Sequence, residues 1–122
     1  AYNSLGEHQK AIKCYSQSLD TSREIENKLG ESNTLHNLGL VHANLGEYQK
    51  AIEYYEQALR IKNKIGNTRG VGNTLNALGT AYKHIGENQK AIKHYERALK
   101  ISRELGNKLG EAGSLNSLGM VY

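Results

Sequence analysis

At 122 residues, with 38% hydrophobic content and no Trp, Phe or Pro, the chain is one folding unit by length but too polar to build one large central core. Its net charge of +4 comes from 16 basic and 12 acidic residues that are interleaved, which argues against the clustered positive face of a nucleic-acid binder. One cysteine, Cys14, rules out an intrachain disulfide, and no apolar run approaches the length of a membrane-spanning helix, so a cytoplasmic setting is expected.

One stretch recurs almost verbatim, at Leu5–Tyr15, Leu45–Tyr55 and Ile85–Tyr95, with copies 40 residues apart. A fixed period of that size is the mark of a stacked repeat protein, in which each unit buries its apolar face against its neighbours. In chain order, residues 1–4 align with 41–44 and 81–84, the last turns of helices, so the chain enters in mid-repeat. Leu5-Gly6 is expected to close that turn, because Gly accepts the left-handed conformation that stops a helix.

A helix over about 7–26 follows, its apolar stripe being Ala11, Ile12, Tyr15, Ser18, Leu19 and Ile25 at spacings of three and four. This is a B helix. Asn27 is placed as the N-cap of the next, where its side chain can accept from an early backbone N–H. That A helix covers about 28–44, with Leu35, Leu38, Gly39, Val41, His42 and Leu45 inward. The second unit repeats the plan with a B helix over about 47–65, a turn at Gly66-Asn67 and an A helix over about 68–84. The third B helix covers about 87–105, and after Gly106-Asn107 the last A helix covers about 108–122. Ile65 and Leu105 are expected to face inward like Ile25.

Glycine within a helix costs about 1 kcal/mol relative to alanine, so its recurrence needs a reason. Gly39, Gly79 and Gly119 share one phase. The expected reason is close approach of the hairpin partner, near Ala51 and Tyr55 for Gly39. Gly30, Gly70 and Gly110 share another phase, in the first turn of each A helix, where they let the preceding turn pack closely. Glu56–Arg60, Glu96–Lys100 and Glu24–Lys28 are expected as i,i+4 pairs on solvated faces.

These residues carry a family resemblance. The run Leu35, Leu38-Gly39, His42, Gly46-Glu47-Tyr48, Ala51, Tyr55 and Ala58 resembles the tetratricopeptide repeat, and Leu75, Leu78, Gly79, Tyr82, Gly86, Ala91, Tyr95 and Ala98 fit the same pattern. The period is 40 residues, longer than the family's usual one, and the family's Pro after helix B is missing. Both features are similar to the long-repeat subgroup of Leu-Gly-Asn-repeat adaptors and kinesin light chains. The resemblance implies an all-α, right-handed superhelical solenoid of antiparallel helix pairs, with A helices lining a concave groove that binds peptide or protein. By position the groove residues are Asn33, His36, Asn37, Leu40, Ala43, Asn44, Asn73, Asn76, Thr80, Lys83, His84, Asn116 and Met120, with Asn3 and Ser4 at the edge. Lys83 is the one cation among them, where a chaperone-tail carboxylate clamp needs Lys, Asn and Arg. Leu40, Thr80 and Met120 stand where the adaptor subgroup has Asn after Leu-Gly.

Asparagine is a mediocre helix former, so a row of it on A helices points to a role. The amides either hydrogen-bond an extended peptide backbone or bond across to the next repeat and to water. The five histidines lack metal-ligand spacing, and no nucleophile stands with a base. Neither a metal, a cofactor nor catalysis is expected. His42 is read as a packing residue and Cys14 as a partly buried thiol.

Val121-Tyr122 returns to the phase of Ala1-Tyr2, so the first B helix lacks its A partner and the last A helix lacks its B partner. Solenoids ordinarily carry polar end caps. The chain is therefore expected either to be a segment of a longer array or to stack head to tail with copies of itself into a filament. Ile12, Tyr15 and Leu19 would then meet Leu115, Leu118 and Tyr122.

Overall fold

The computed structural model describes the backbone of residues 2–122 and the side chains of residues 5–122. Six helices follow in order: α1 (Tyr2–Glu24), α2 (Lys28–Asn44), α3 (Tyr48–Lys64), α4 (Thr68–His84), α5 (Asn88–Glu104) and α6 (Lys108–Val121). Each packs on the next, and α2 also touches α4 as α4 touches α6. No such contact joins α1 to α3 or α3 to α5 among the described residues. The A helices therefore lie closer together than the B helices, on the inner curve of a solenoid.

The turns show why the period is obeyed. Asn27, Asn67 and Asn107 cap the A helices, each side chain accepting from the backbone N–H of Gly30, Gly70 and Gly110 at 2.9, 3.1 and 3.0 Å. A Cβ on any of these glycines would sit within 2.7 Å of the capping amide nitrogen, so the glycines make room for the cap itself. In the turn before each cap the backbone takes a positive φ, at Gly66 (+72°), at Gly106 (+68°) and, in the first copy, at Glu26 (+56°). A left-handed residue other than glycine costs about 1–2 kcal/mol, offset in part by the greater chain entropy of glycine when unfolded. Glu26→Gly is expected to raise stability by about 0.5–1 kcal/mol in urea denaturation. A loss of stability would mean that the Glu26 side chain supplies a compensating contact.

Buried side chains form a strip of linked clusters along the stack. Leu19, Leu35, Leu38 and Ala58 pack together, then Ala51, Ile52, Tyr55, Leu78 and Ala81. Val71, Leu75 and Ala98 continue the strip, and Ala91, Tyr95, Leu99 and Leu118 complete it. The recurrent helix glycines fit into it: a Cβ on Gly39 would lie 2.5 Å from the Tyr55 ring, and one on Gly79 would lie 2.7 Å from that of Tyr95. Gly119 meets nothing within 4 Å.

Several expectations need correction. Leu5-Gly6 does not close a turn, since α1 runs through it from Tyr2. The equivalent turn at Gly46 is held where an A helix packs back on the B helix that follows. Ile25, Ile65 and Leu105 are exposed rather than inward, because they stand at or beyond the helix C-caps where the chain turns away. Cys14 is exposed. Its counterparts Tyr54 and His94 pack against His42 and Tyr82 of the preceding A helix, at 5.3 and 5.1 Å between ring centroids. The residue at that phase for Cys14 is Tyr2, whose side chain lies outside those described.

The expected pairs Glu56–Arg60, Glu96–Lys100 and Glu24–Lys28 do not form. Charges pair around the turns instead: Arg23 and Lys28 on Glu31, and Arg103 and Lys108 on Glu111. Burial works against the Glu31 charge, yet hydrogen bonds from Arg23 and Lys28 outweigh it and hold the carboxyl below its ordinary value. His42 is buried, as expected of a packing residue, and its Nδ1–H donates to Glu47 Oε1 at 2.7 Å.

Candidate peptide-binding groove

The inner face of α2, α4 and α6 carries the residues that the resemblance assigned to a groove. Asn33, Leu40, Asn44, Asn73, Thr80, His84, Asn116 and Met120 are exposed there, while His36, Asn37, Ala43, Asn76 and Lys83 are half-buried. The side chains of Asn3 and Ser4 lie outside those described. Two kinds stand out among the members of this set that make contacts.

One kind bonds from repeat to repeat. Asn76 Oδ1 accepts from Ser114 Oγ at 3.1 Å, and His36 Nδ1 lies 3.0 Å from Thr74 Oγ1. Both contacts span one repeat and tie neighbouring A helices together. For Asn76 the bond across to the next repeat is therefore the reading that holds. Thr74 is fully buried and also accepts from Lys62 Nζ at 3.1 Å. Thr74 Oγ1 has a lone pair for Lys62 and still shares a second hydrogen bond with His36 Nδ1, whose direction follows the imidazole tautomer. Burial, with the nearby Lys62 charge, lowers the His36 pKa to about 4. Lys62 itself is 3% exposed, and burial lowers its pKa too.

The sequence reading missed Lys62. Its counterparts are Ser22 and Ser102, so nothing at that phase marks a buried charge. The hydroxyls Thr34, Thr74 and Ser114 share one phase, and that regularity was the available signal for a polar seam.

The other kind surrounds a cavity of about 250 Å³ between α2 and α4. Leu40, Ala43, Ala77 and Ala81 give it apolar walls, Asn44 and Thr80 stand among its polar lining, and Tyr55 reaches it from α3. Tyr48 and His84 stack at 4.6 Å between centroids and 8° between planes, closing one side. Leu40, Ala43, Asn44, Thr80 and His84 were in the expected groove, whereas Tyr48, Tyr55, Ala77 and Ala81 were not. Tyr48 escaped because its counterparts are His8 and Asn88, so the period carries no aromatic there. Lys83 makes no ion pair among the described residues.

Among the residues expected at head-to-tail contacts, Leu19 and Leu118 are buried within the chain's own clusters. Leu115 and Tyr122 are exposed by 47% and 79%, and Ile12 and Tyr15 are half-buried. No group of His, Cys, Asp or Glu is arranged to hold a metal among the described residues. Nor is any described helix long and apolar enough to cross a membrane.

Comparison with known proteins agrees with this architecture. The crystal structure of BtubC (BKLC) from P. vanneervenii is similar over 99% of this chain and 51% of its own, with a TM-score of 0.87 and 25% identity. A kinesin light chain from Podosopora anserina with nearly identical TPR-like repeats is similar over 99% of this chain and 60% of its own, with a TM-score of 0.82 and 20% identity. The chain thus spans about half to three fifths of the length of these structures. A search of curated proteins gave no match. Repeats of this fold generally mediate protein–protein interaction and are non-enzymatic scaffolds. The tetratricopeptide repeat profile matches residues 1–64 and 70–122, so the chain belongs to that family.

Proposed function

We propose that the chain binds an extended peptide or protein segment along its A-helix face. The observation that carries this reading is the cavity between α2 and α4, which lies on the inner curve amid exposed amides. Pockets with apolar walls and a few convergent polar groups are the usual form of a recognition site. Asn33, Asn44, Asn73 and Asn116 are exposed and present donors and acceptors suited to main-chain amides. Lys83, unpaired, favours a segment without excess positive charge. Panning a random peptide library against the chain, then measuring the selected peptides by fluorescence anisotropy, tests the proposal. Thr80→Arg, which projects into the groove, is expected to weaken binding at least tenfold, while Lys93→Glu on the exposed face of α5 leaves it unchanged. The reverse pattern would overturn the assignment.

A second reading has its own observation. Tyr55 fills the space above Gly39 and Tyr95 that above Gly79, but nothing lies within 4 Å of a Cβ on Gly119. By period, the residue that fits that notch is the tyrosine of a following B helix, and Tyr15 of a second copy is such a residue. Head-to-tail stacking of this kind does not close, so it propagates. Sedimentation velocity over a wide concentration range is expected to show growth that Gly119→Leu abolishes. A monomer at every concentration contradicts this second reading and leaves the first intact.

A further inference from the structure

Leu40 with Tyr55 and Thr80 with Tyr95 hold the same places one repeat apart, and the exchange of Leu40 for Thr80 leaves a polar group of Tyr55 lining the cavity. In the third repeat Tyr95 Oη lies 2.7 Å from Thr80 Oγ1. Thr80 Oγ1 itself donates to Asn76 O at 3.1 Å, so the tyrosine hydroxyl is the donor in the first bond. One period earlier the tyrosine is Tyr55, but the residue in the place of Thr80 is Leu40, which has no acceptor. Tyr55 is 2% exposed, lines the cavity, and its hydroxyl has no hydrogen-bond partner among the described residues. The ring is buried, but the hydroxyl opens into the cavity, where it is free to donate to whatever occupies that space.

The surroundings say what could pair with it. Leu40, Ala43, Ala77 and Ala81 wall the cavity, so an occupant needs an apolar stem. No Lys or Arg lines it, so a carboxylate there would be buried without a counter-charge. A carboxamide meets both demands. Its carbonyl accepts from the phenol, and its NH₂ can reach acceptors on Asn44 and Thr80. Burial pushes the Tyr55 pKa up to about 12, which keeps the hydroxyl a donor at any physiological pH.

We infer that the cavity between α2 and α4 takes a glutamine side chain from the bound segment, with Tyr55 Oη–H donating to its carbonyl. This rests on the groove reading and gives it a recognised residue. Leu40 acts as the specificity determinant, because it withholds the partner that Thr80 gives Tyr95.

The test uses N-acetyl-glutamine, N-acetyl-leucine and N-acetyl-glutamate N-methylamides as probes, titrated into the ¹⁵N-labelled chain. Amide shifts of Ala43, Ala77 and Ala81 report occupancy. The glutamine probe is expected to bind at least threefold more tightly than either of the others. Tyr55→Phe should erase that preference without unfolding the protein. Leu40→Thr should erase it as well, because it supplies the phenol with an internal acceptor, and should raise Tm. A leucine or glutamate probe that binds as well as glutamine overturns the inference, as does a preference that survives Tyr55→Phe. If probes fail while library-selected peptides still bind and are lost on Thr80→Arg, this inference falls and the groove reading stands.

Discussion

Gly39→Leu is expected to destabilise the chain by about 1–3 kcal/mol, toward the upper end of that range. The first atom added would lie 2.5 Å from the Tyr55 ring, which is itself 2% exposed and held among Ala51, Ile52, Leu78 and Ala81. A flexible side-chain tip could move aside, but a packed ring can do so only by separating α2 from α3. Removing glycine from a helix interior returns about 1 kcal/mol, which the overpacking exceeds. The same substitution at Gly119 supplies an internal control, because nothing lies within 4 Å there. Gly119→Leu is expected to be neutral or slightly stabilising in the monomer. Urea denaturation of both variants checks the pair, and equal losses would contradict the packing role assigned to Gly39.

The second large effect is on pH dependence. The folded state lowers the His36 pKa from 6.5 to about 4, through burial first and then the Lys62 charge. The unfolded chain therefore binds a proton near pH 6.5 that the folded chain refuses until about pH 4. Stability rises with pH wherever the unfolded state holds more protons. The contribution is fully present above pH 6.5 and is lost progressively as pH falls toward 4, to a total of about 3 kcal/mol. Carboxylates such as Glu31, also held below their ordinary value, add their own loss as pH falls below the usual carboxylate range. Comparing the chain with His36→Asn, the residue type at the same phase in Asn76 and Asn116, isolates the imidazole. The variant is expected to lose less stability between pH 6.5 and 4 by about 3 kcal/mol. Parallel curves would contradict a ring fixed neutral between Thr74 and the groove.

These two predictions divide cleanly by how legible they were. The Gly39 contact is a packing rule, repeated at Gly79, and the 40-residue period exposed it along with the helices, their order and the Asn caps. Regular features announce themselves because every copy must meet the same neighbour. The buried Lys62, the His36 contact with Thr74 and the unpaired Tyr55 hydroxyl arise where one copy departs from the others. Ser22 and Ser102 gave no hint of Lys62, and Leu40 beside Thr80 looks like an ordinary exchange until both tyrosines are placed in space. The cavity's aromatic wall was hidden for the same reason, since Tyr48 has no aromatic counterpart. Gly6 shows the opposite failure. There the local pattern is the same as at Gly46 and Gly86, yet the helix runs through it.

The division also bears on the recognition proposed for this chain. Whatever all copies share builds the solenoid, and an array of identical units would offer a uniform face. Leu40, Tyr48, Lys83 and His84 are particular to their places and cluster around or beside one cavity. Selectivity for a partner is most economically written in such departures, against a scaffold held rigid by the shared positions.

The most direct measurement is an amide chemical-shift map of the ¹⁵N-labelled chain with a peptide selected from a random library. The account predicts that perturbed residues gather on the inner faces of α2, α4 and α6 and are strongest around Ala43, Ala77 and Ala81. Perturbations confined to α3 and α5, or to the open faces of α1 and α6, would contradict it.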